Sequence, residues 1–405
     1  MKLWIVTVPA LFLALSGTSR AETLREAAVA AAGEAALPAA PEEGDADDGE
    51  ESDPARTRVY WKDHATHFEM EGALIQLSNR IQFRFTHTDP PDDLQLPGTT
   101  ARGQGKGSFR IRRAKTTFEG WFWKPELTFE LQLNWAEPEP GASTDTPLED
   151  GYLQWDASRT GAFMIRAGQF KVPLGRQEMS TSSGLQFVER SILSFEFTRG
   201  RDIGVEVRGR IANDKLEYRA GMFNGNPASR LDNDNTKFQY NARISLQPFG
   251  RVAYRESDLE SGDGPLLAVE AEIESNNLHG ATNANDLNTT ILGTSVMFKY
   301  RGVSLYGEYF DRERKPETGP TFKSNGYIVQ GGVFLVRDRV EVAGRYASFD
   351  PTDQVGGDDV TERGAALNYF VLGHALKLQA DYREVENDAL DQRTREVRFQ
   401  TQFVF

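Results

Sequence analysis

From residue 70 onward, apolar and polar side chains alternate with a period of two, segment after segment. Ile75, Leu77, Ile81, Phe83 and Phe85 fall on odd positions, with Gln76, Ser78, Arg80, Gln82 and Arg84 between them. Successive side chains of a strand point to opposite faces, so this pattern gives one apolar and one charged face. It recurs at Leu127–Trp135, Phe163–Ala167, Ile203–Arg208, Lys215–Met222 and Phe238–Leu246. It continues at 264–275, 289–300, 301–312, 323–336, 337–349, 361–372, 373–385 and 392–405. With 107–122 and 148–155, about sixteen strands result, roughly 21 residues each with their connections, as a membrane-spanning barrel requires.

Two features favour a transmembrane antiparallel β-barrel over a soluble sandwich. The polar faces carry two or three charges each, which suits a water-filled lumen better than a dry core. Connections also alternate in length, with tight turns at 123–124, 211–214, 300–302, 335–338 and 372–374, and longer polar loops between them. Short turns inside and long loops outside are the outer-membrane arrangement. Trp121, Trp123, Trp135, Trp155, Tyr300 and Tyr309, near strand ends, suit interfacial girdles. The chain ends on Val397, Phe399, Thr401, Phe403 and Phe405, all on one face. That ending resembles the signature barrel proteins present to their assembly machinery, with Phe405 as its last residue.

Composition alone points elsewhere. Of 405 residues 39% are hydrophobic, and none is cysteine. Past the N-terminus no apolar run reaches the roughly 18 residues of a membrane helix. In a barrel the same numbers mean alternating faces. The lack of cysteine excludes a disulfide framework and thiolate metal sites.

Residues 1–21 read as a secretory signal peptide: Lys2, an apolar run from Leu3 to Leu15, and small residues at Ser19 and Ala21. Residues 22–57, Ala-, Pro- and acid-rich, read as a disordered leader. Its eleven acids and two bases give −9; with +2 in the signal, the −14 of the whole chain leaves −7 for a barrel at 58–405. The destination is the bacterial outer membrane.

The stretch Gly151–Gly225, with GQFKVPLG, FVERSI and GRDIGV, resembles the phosphate-selective porin O and P family. Val59–Phe85, with VYWKDH and IQLSNRIQFRF, resembles that family's first strand, and the likeness extends over 59–405. The resemblance implies a sixteen-stranded, usually homotrimeric channel in outer-membrane lipid. It also implies a third external loop folded inward as a constriction. That loop is the connection at about 171–199, which carries Lys171, Arg176, Arg190 and Arg199. By motif position the resemblance also implies pore residues at Arg80, Arg112, Arg113, Arg190 and Asp150.

Strand parity gives a separate reading. Arg80, Arg84, Arg113, Lys115, Arg166, Arg208, Arg219 and Arg243 fall on polar faces, while Arg112 faces outward unless it lies near a strand end. Basic side chains at a constriction favour small anions, and the guanidinium fork matches phosphate oxygens. The inward stretch GRQEMSTSSG departs from the phosphate-selective members, having Glu178 and no lysine. Glu130, Glu206, Glu217, Glu270, Glu272 and Glu274 on lumen faces also oppose anion selection. Phosphate, polyphosphate and other solutes therefore stay open.

No enzyme, cofactor, metal or nucleic-acid signature appears. The histidines His64, His67, His87, His279 and His374 are scattered, and Gly103–Gly107 leads into a strand, unlike a phosphate-binding loop. The sequence therefore reads as a passive porin. The alternatives are an adhesive or structural barrel using its acidic leader, and a barrel hydrolase.

Overall fold

The computed structural model describes residues 57–89, 105–136, 146–226, 233–262, 264–278 and 286–405. The expected signal peptide and leader, up to residue 56, lie outside the described residues, as does His279. A short hairpin, β1 (Arg58–Lys62) and β2 (Ala65–Met70), precedes the barrel. Sixteen strands follow. They are β3 (Ala73–Asp89), β4 (Lys106–Phe122), β5 (Lys124–Asn134), β6 (Leu148–Asp156), β7 (Met164–Lys171) and β8 (Arg201–Ile211). Next come β9 (Leu216–Phe223), β10 (Gln239–Leu246), β11 (Leu266–Leu278), β12 (Leu287–Tyr300) and β13 (Val303–Pro316). The last are β14 (Phe322–Val336), β15 (Val340–Asp350), β16 (Val360–Leu372), β17 (Leu376–Asn387) and β18 (Gln392–Val404).

Each strand pairs antiparallel with the next, and β18 returns to pair with β3, closing the barrel. Closure leaves no free edge in the lipid, where an unpaired backbone amide costs several kcal/mol. β18 covers Arg80–Asp89 of β3, and the hairpin strand β2 covers Ala73–Leu77. Between them Asn79 and the final Phe405 exchange two backbone hydrogen bonds, at 2.5 and 2.9 Å. The terminal Phe is thus part of the seam.

The alternation sorts faces as expected. Phe83, Leu153, Ile244, Leu292, Val329 and Phe399 are exposed on the outside, and Gln82, Arg113, Glu270, Ser295, Gln330 and Gln400 are buried within. The β12–β13 turn is Arg301–Gly302, with φ of +50° and +85°, as a two-residue hairpin needs.

Two expectations change. The connection between β10 and β11, residues 247–265, lies on the short-turn side yet is long. The lumen is also not uniformly wet. The loop between β7 and β8 folds inward and buries Leu174, Leu193 and Phe197 against Met297, Phe310, Ile328 and Ala347 of the wall. Phe197 stacks on Phe310 at 5.3 Å. Burying a side chain of this size stabilises by about 1.5–3 kcal/mol, so the loop has an apolar anchor.

Candidate functional site

The inward loop carries two short helices, α1 (Arg176–Met179) and α2 (Ile192–Phe197), with a 3-10 turn at Ser182–Gly184 between them. Most of its backbone lacks regular structure, so its amides need partners. Wall carboxylates supply them. Glu272 accepts from Gly175 N at 2.7 Å, Glu308 from Arg176 N at 2.5 Å, Asp381 from Val188 N at 2.9 Å and Glu362 from Ile192 N at 2.8 Å. Wall donors serve the carbonyls: Lys377 donates to Leu185 O, Asn368 to Gln186 O and Arg345 to Glu189 O. Where the loop comes nearest, the wall has Gly332 and Gly364. A Cβ there would lie 2.0 Å from Gln186 Nε2 and 2.9 Å from the Phe187 ring, respectively.

This docking fills the β11–β17 side and leaves an opening against β3–β8. A cavity of about 330 Å³ there is lined by eight bases, Arg80, Arg112, Arg113, Lys115, Arg166, Lys171, Arg190 and Arg201. Glu130, Glu149 and Asp150 are the acids among the lining residues. Eight against three is a formal +5, and counting the adjacent loop acids Glu178 and Glu189 brings it to +3.

The bases are held in place. Glu189 accepts from Arg84 at 2.7 Å, Arg112 at 2.7 Å and Arg113 at 3.0 Å. Burial by itself would raise the Glu189 carboxyl. The Arg113, Arg84 and Arg112 guanidiniums outweigh that and hold it well below the usual carboxylate range. Arg201 pairs with Asp150 at 2.6 Å and Glu149 at 3.1 Å, and Lys115 also pairs with Glu149. Arg166 lies over the Tyr152 ring at 3.8 Å, and the Tyr152 hydroxyl donates to Glu130 at 2.6 Å. Arg80 donates to Ser182 Oγ at 2.9 Å. Arg190 and Lys171 both donate to Ser180 O, at 2.8 and 3.0 Å.

A chain of barrel strands with a loop folded into the lumen and a basic opening beside it suggests a channel family. The model of the family described as phosphate-selective porin O and P matches residues 91–405. The chain belongs to the phosphate-selective porin O and P family. It is an outer-membrane porin. The match starts beyond Val59–Phe85, so the likeness noted there lies outside the matched residues.

Solved structures agree in fold. An anion-selective porin from Comamonas acidovorans has a TM-score of 0.58 at 9% identity, covering 82% of this chain and 99% of that one. The outer membrane channel DcaP of Acinetobacter baumannii has a TM-score of 0.57 at 9% identity, covering 83% and 99%. A trimer form of OmpT from Vibrio cholerae has a TM-score of 0.54 at 8% identity, covering 82% and 100%.

Of the residues expected at the porin's site, Arg80, Arg112, Arg113, Lys115, Asp150, Arg166, Lys171 and Arg190 line the opening. Arg84 stands behind it, clamping Glu189 and Val188 O. Arg176 turns the other way and pairs with Glu270 at 2.8 Å as a loop anchor. Arg208 pairs with Glu206 at 3.5 Å and is not among the lining residues. Parity placed Arg112 outward, but a bulge does not. Gln82 faces Arg113 and Phe83 faces Ile111, so Arg112 is the extra residue, and both arginines reach Glu189.

A second bulge repeats this on β6. Gln132 faces Asp150 and Leu133 faces Leu148, which makes Glu149 the extra residue. Glu149 was missed for that reason. Two consecutive charges inside an alternating strand, Arg112–Arg113 and Glu149–Asp150, are the signal that could have found both. Arg201 was missed because it shares parity with the lipid-facing Val205; as the first residue of β8 it curls inward to Asp150. Glu270 and Glu272, which had counted against anions, pair with Arg243 and serve the loop.

Proposed function

We propose that this porin passes small anions and holds them briefly at the opening between its inward loop and β3–β8, with oxyanions of the phosphate type as the preferred class. The observation that supports this most is the excess of eight bases over three acids on one opening. Charged side chains at a constriction raise the local concentration of the opposite ion, and Arg forks match the oxygens of phosphate. The loop's own acids lower this excess but leave it positive. Glu189 and Glu178 pair with Arg84, Arg112, Arg113 and Arg190, which fixes those bases without reversing the sign.

The same reading covers assembly and export. Residues 1–21 direct export, 22–57 form a leader, and the strand ending at Phe405 is presented to the barrel-assembly machinery. The porin works as a homotrimer in outer-membrane lipid, as the trimer form of a neighbour in fold suggests.

The test is phosphate added to chloride-conducting single channels in a planar bilayer. A concentration-dependent fall in chloride current supports a phosphate-type site. Chloride current that ignores phosphate would leave an anion pore without one.

A further inference from the structure

Among the described residues, the connection between β10 and β11 is long where alternating turn length calls for a tight turn. From Gln247 to Gly262 it does not cross the periplasmic rim as a tight turn. Val252, Glu256, Ser257, Asp258 and Ser261 are all buried. Its fixings run round the inner wall. Tyr254 donates to Glu217 at 2.9 Å, and Ser257 donates to Glu341 at 2.8 Å. Asp258 accepts from Gly302 N, in the neighbouring turn, at 2.6 Å.

Its inner end meets the constriction loop from below. Glu256, 3% exposed, accepts from Gln177 at 2.9 Å through one carboxylate oxygen. The other oxygen accepts from Gln186 N at 2.7 Å and from Gln330 of the wall at 2.9 Å. Its own amide donates to Gly184 O at 2.9 Å. The contact is then relayed towards the opening. Gln177 Oε1 accepts from both the amide and the hydroxyl of Ser191, at 2.9 and 2.7 Å. Ser191 follows Arg190, which lines the opening, and Glu189, which holds the arginines.

We propose that Gln247–Gly262 is a fixed prop under the constriction loop, and that Glu256 is the positioning residue that sets the loop's height and so the size of the opening. Glu256 itself does not line the opening. It acts through Gln177, Gln186 and Ser191. This rests on the chain being a channel, and it assigns to the periplasmic side a part of the constriction that the inward loop does not supply alone.

The natural chain has no cysteine, so an engineered pair reports cleanly. A Cβ built on Gly184 lies 3.1 Å from Arg255 Cβ, close to the roughly 3.5–4.5 Å that a disulfide spans. Gly184→Cys/Arg255→Cys is therefore expected to cross-link on oxidation, and its failure to do so would overturn the contact. The functional arm adds Glu256→Ala to that pair and records single channels while reductant is applied. Oxidised channels should conduct like the wild type. Reduction should raise conductance by about 1.5-fold or more, with added open-channel noise, because the loop loses its support. Channels already folded in the bilayer cannot misfold on reduction, so the change reads position alone. Identical conductance and noise before and after reduction would reject the prop. A wild type that carries no current would fail the channel reading instead, and the cross-link would still decide the contact.

Discussion

Glu189 and Arg113 meet at 3.0 Å across the lumen, a carboxylate from the inward loop against a guanidinium from the β4 bulge. Arg84 and Arg112 close on the same carboxylate, so one acid fastens the loop to three arginines. Removing one partner of a buried charged pair costs about 3–5 kcal/mol, because the other charges stay buried. Glu189→Gln should therefore lower the midpoint of thermal unfolding and shift the channel further towards anions. An unchanged midpoint with unchanged selectivity would remove Glu189 from the clamp.

The clamp has a pH signature. With its carboxyl held well below the usual range, Glu189 stays ionised at pH 3.5, where an ordinary Glu of pKa about 4.3 is mostly protonated. The difference in permeability ratio between wild type and Glu189→Gln should persist at pH 3.5. Near-convergence of the two at pH 3.5 would mean that Glu189 titrates as an ordinary carboxylate.

Lining and non-lining arginines should separate. Arg80→Ala and Arg201→Ala each remove a charge from the opening and should cut the chloride-to-potassium permeability ratio at least about twofold. Arg208→Ala, paired with Glu206 off the opening, should leave the ratio unchanged. Equal effects from all three would mean that the field of the whole lumen selects ions, with no special part for the opening.

The alternation made the barrel legible because lipid and water on the two faces of each strand force it. The lumen side was harder to read. Arg112 and Glu149 break parity through bulges, and Arg201 through its place at a strand start, so the rule failed at these three residues while it held for Arg80, Arg113, Lys115 and Arg166. Glu270 and Glu272 had the right parity but the wrong weight, since only the docked loop reveals that they are already engaged. The hairpin β1–β2 was also missed, being short and lying outside the barrel's repeat.

Loop docking depends on space as well as charge. Gly332 lies against Gln186, so Gly332→Val places a side chain where the loop now sits. The substitution should displace the loop and raise single-channel conductance while the barrel still forms, judged by its heat-modifiable mobility. Wild-type conductance in a folded Gly332→Val barrel would mean that the loop does not set the opening.

The most direct test is the zero-current potential of the purified wild-type porin in a planar bilayer under a tenfold potassium chloride gradient. With eight bases against three acids on the opening, the potential should lie towards the chloride equilibrium value. A potential on the potassium side would contradict the anion-selecting opening outright.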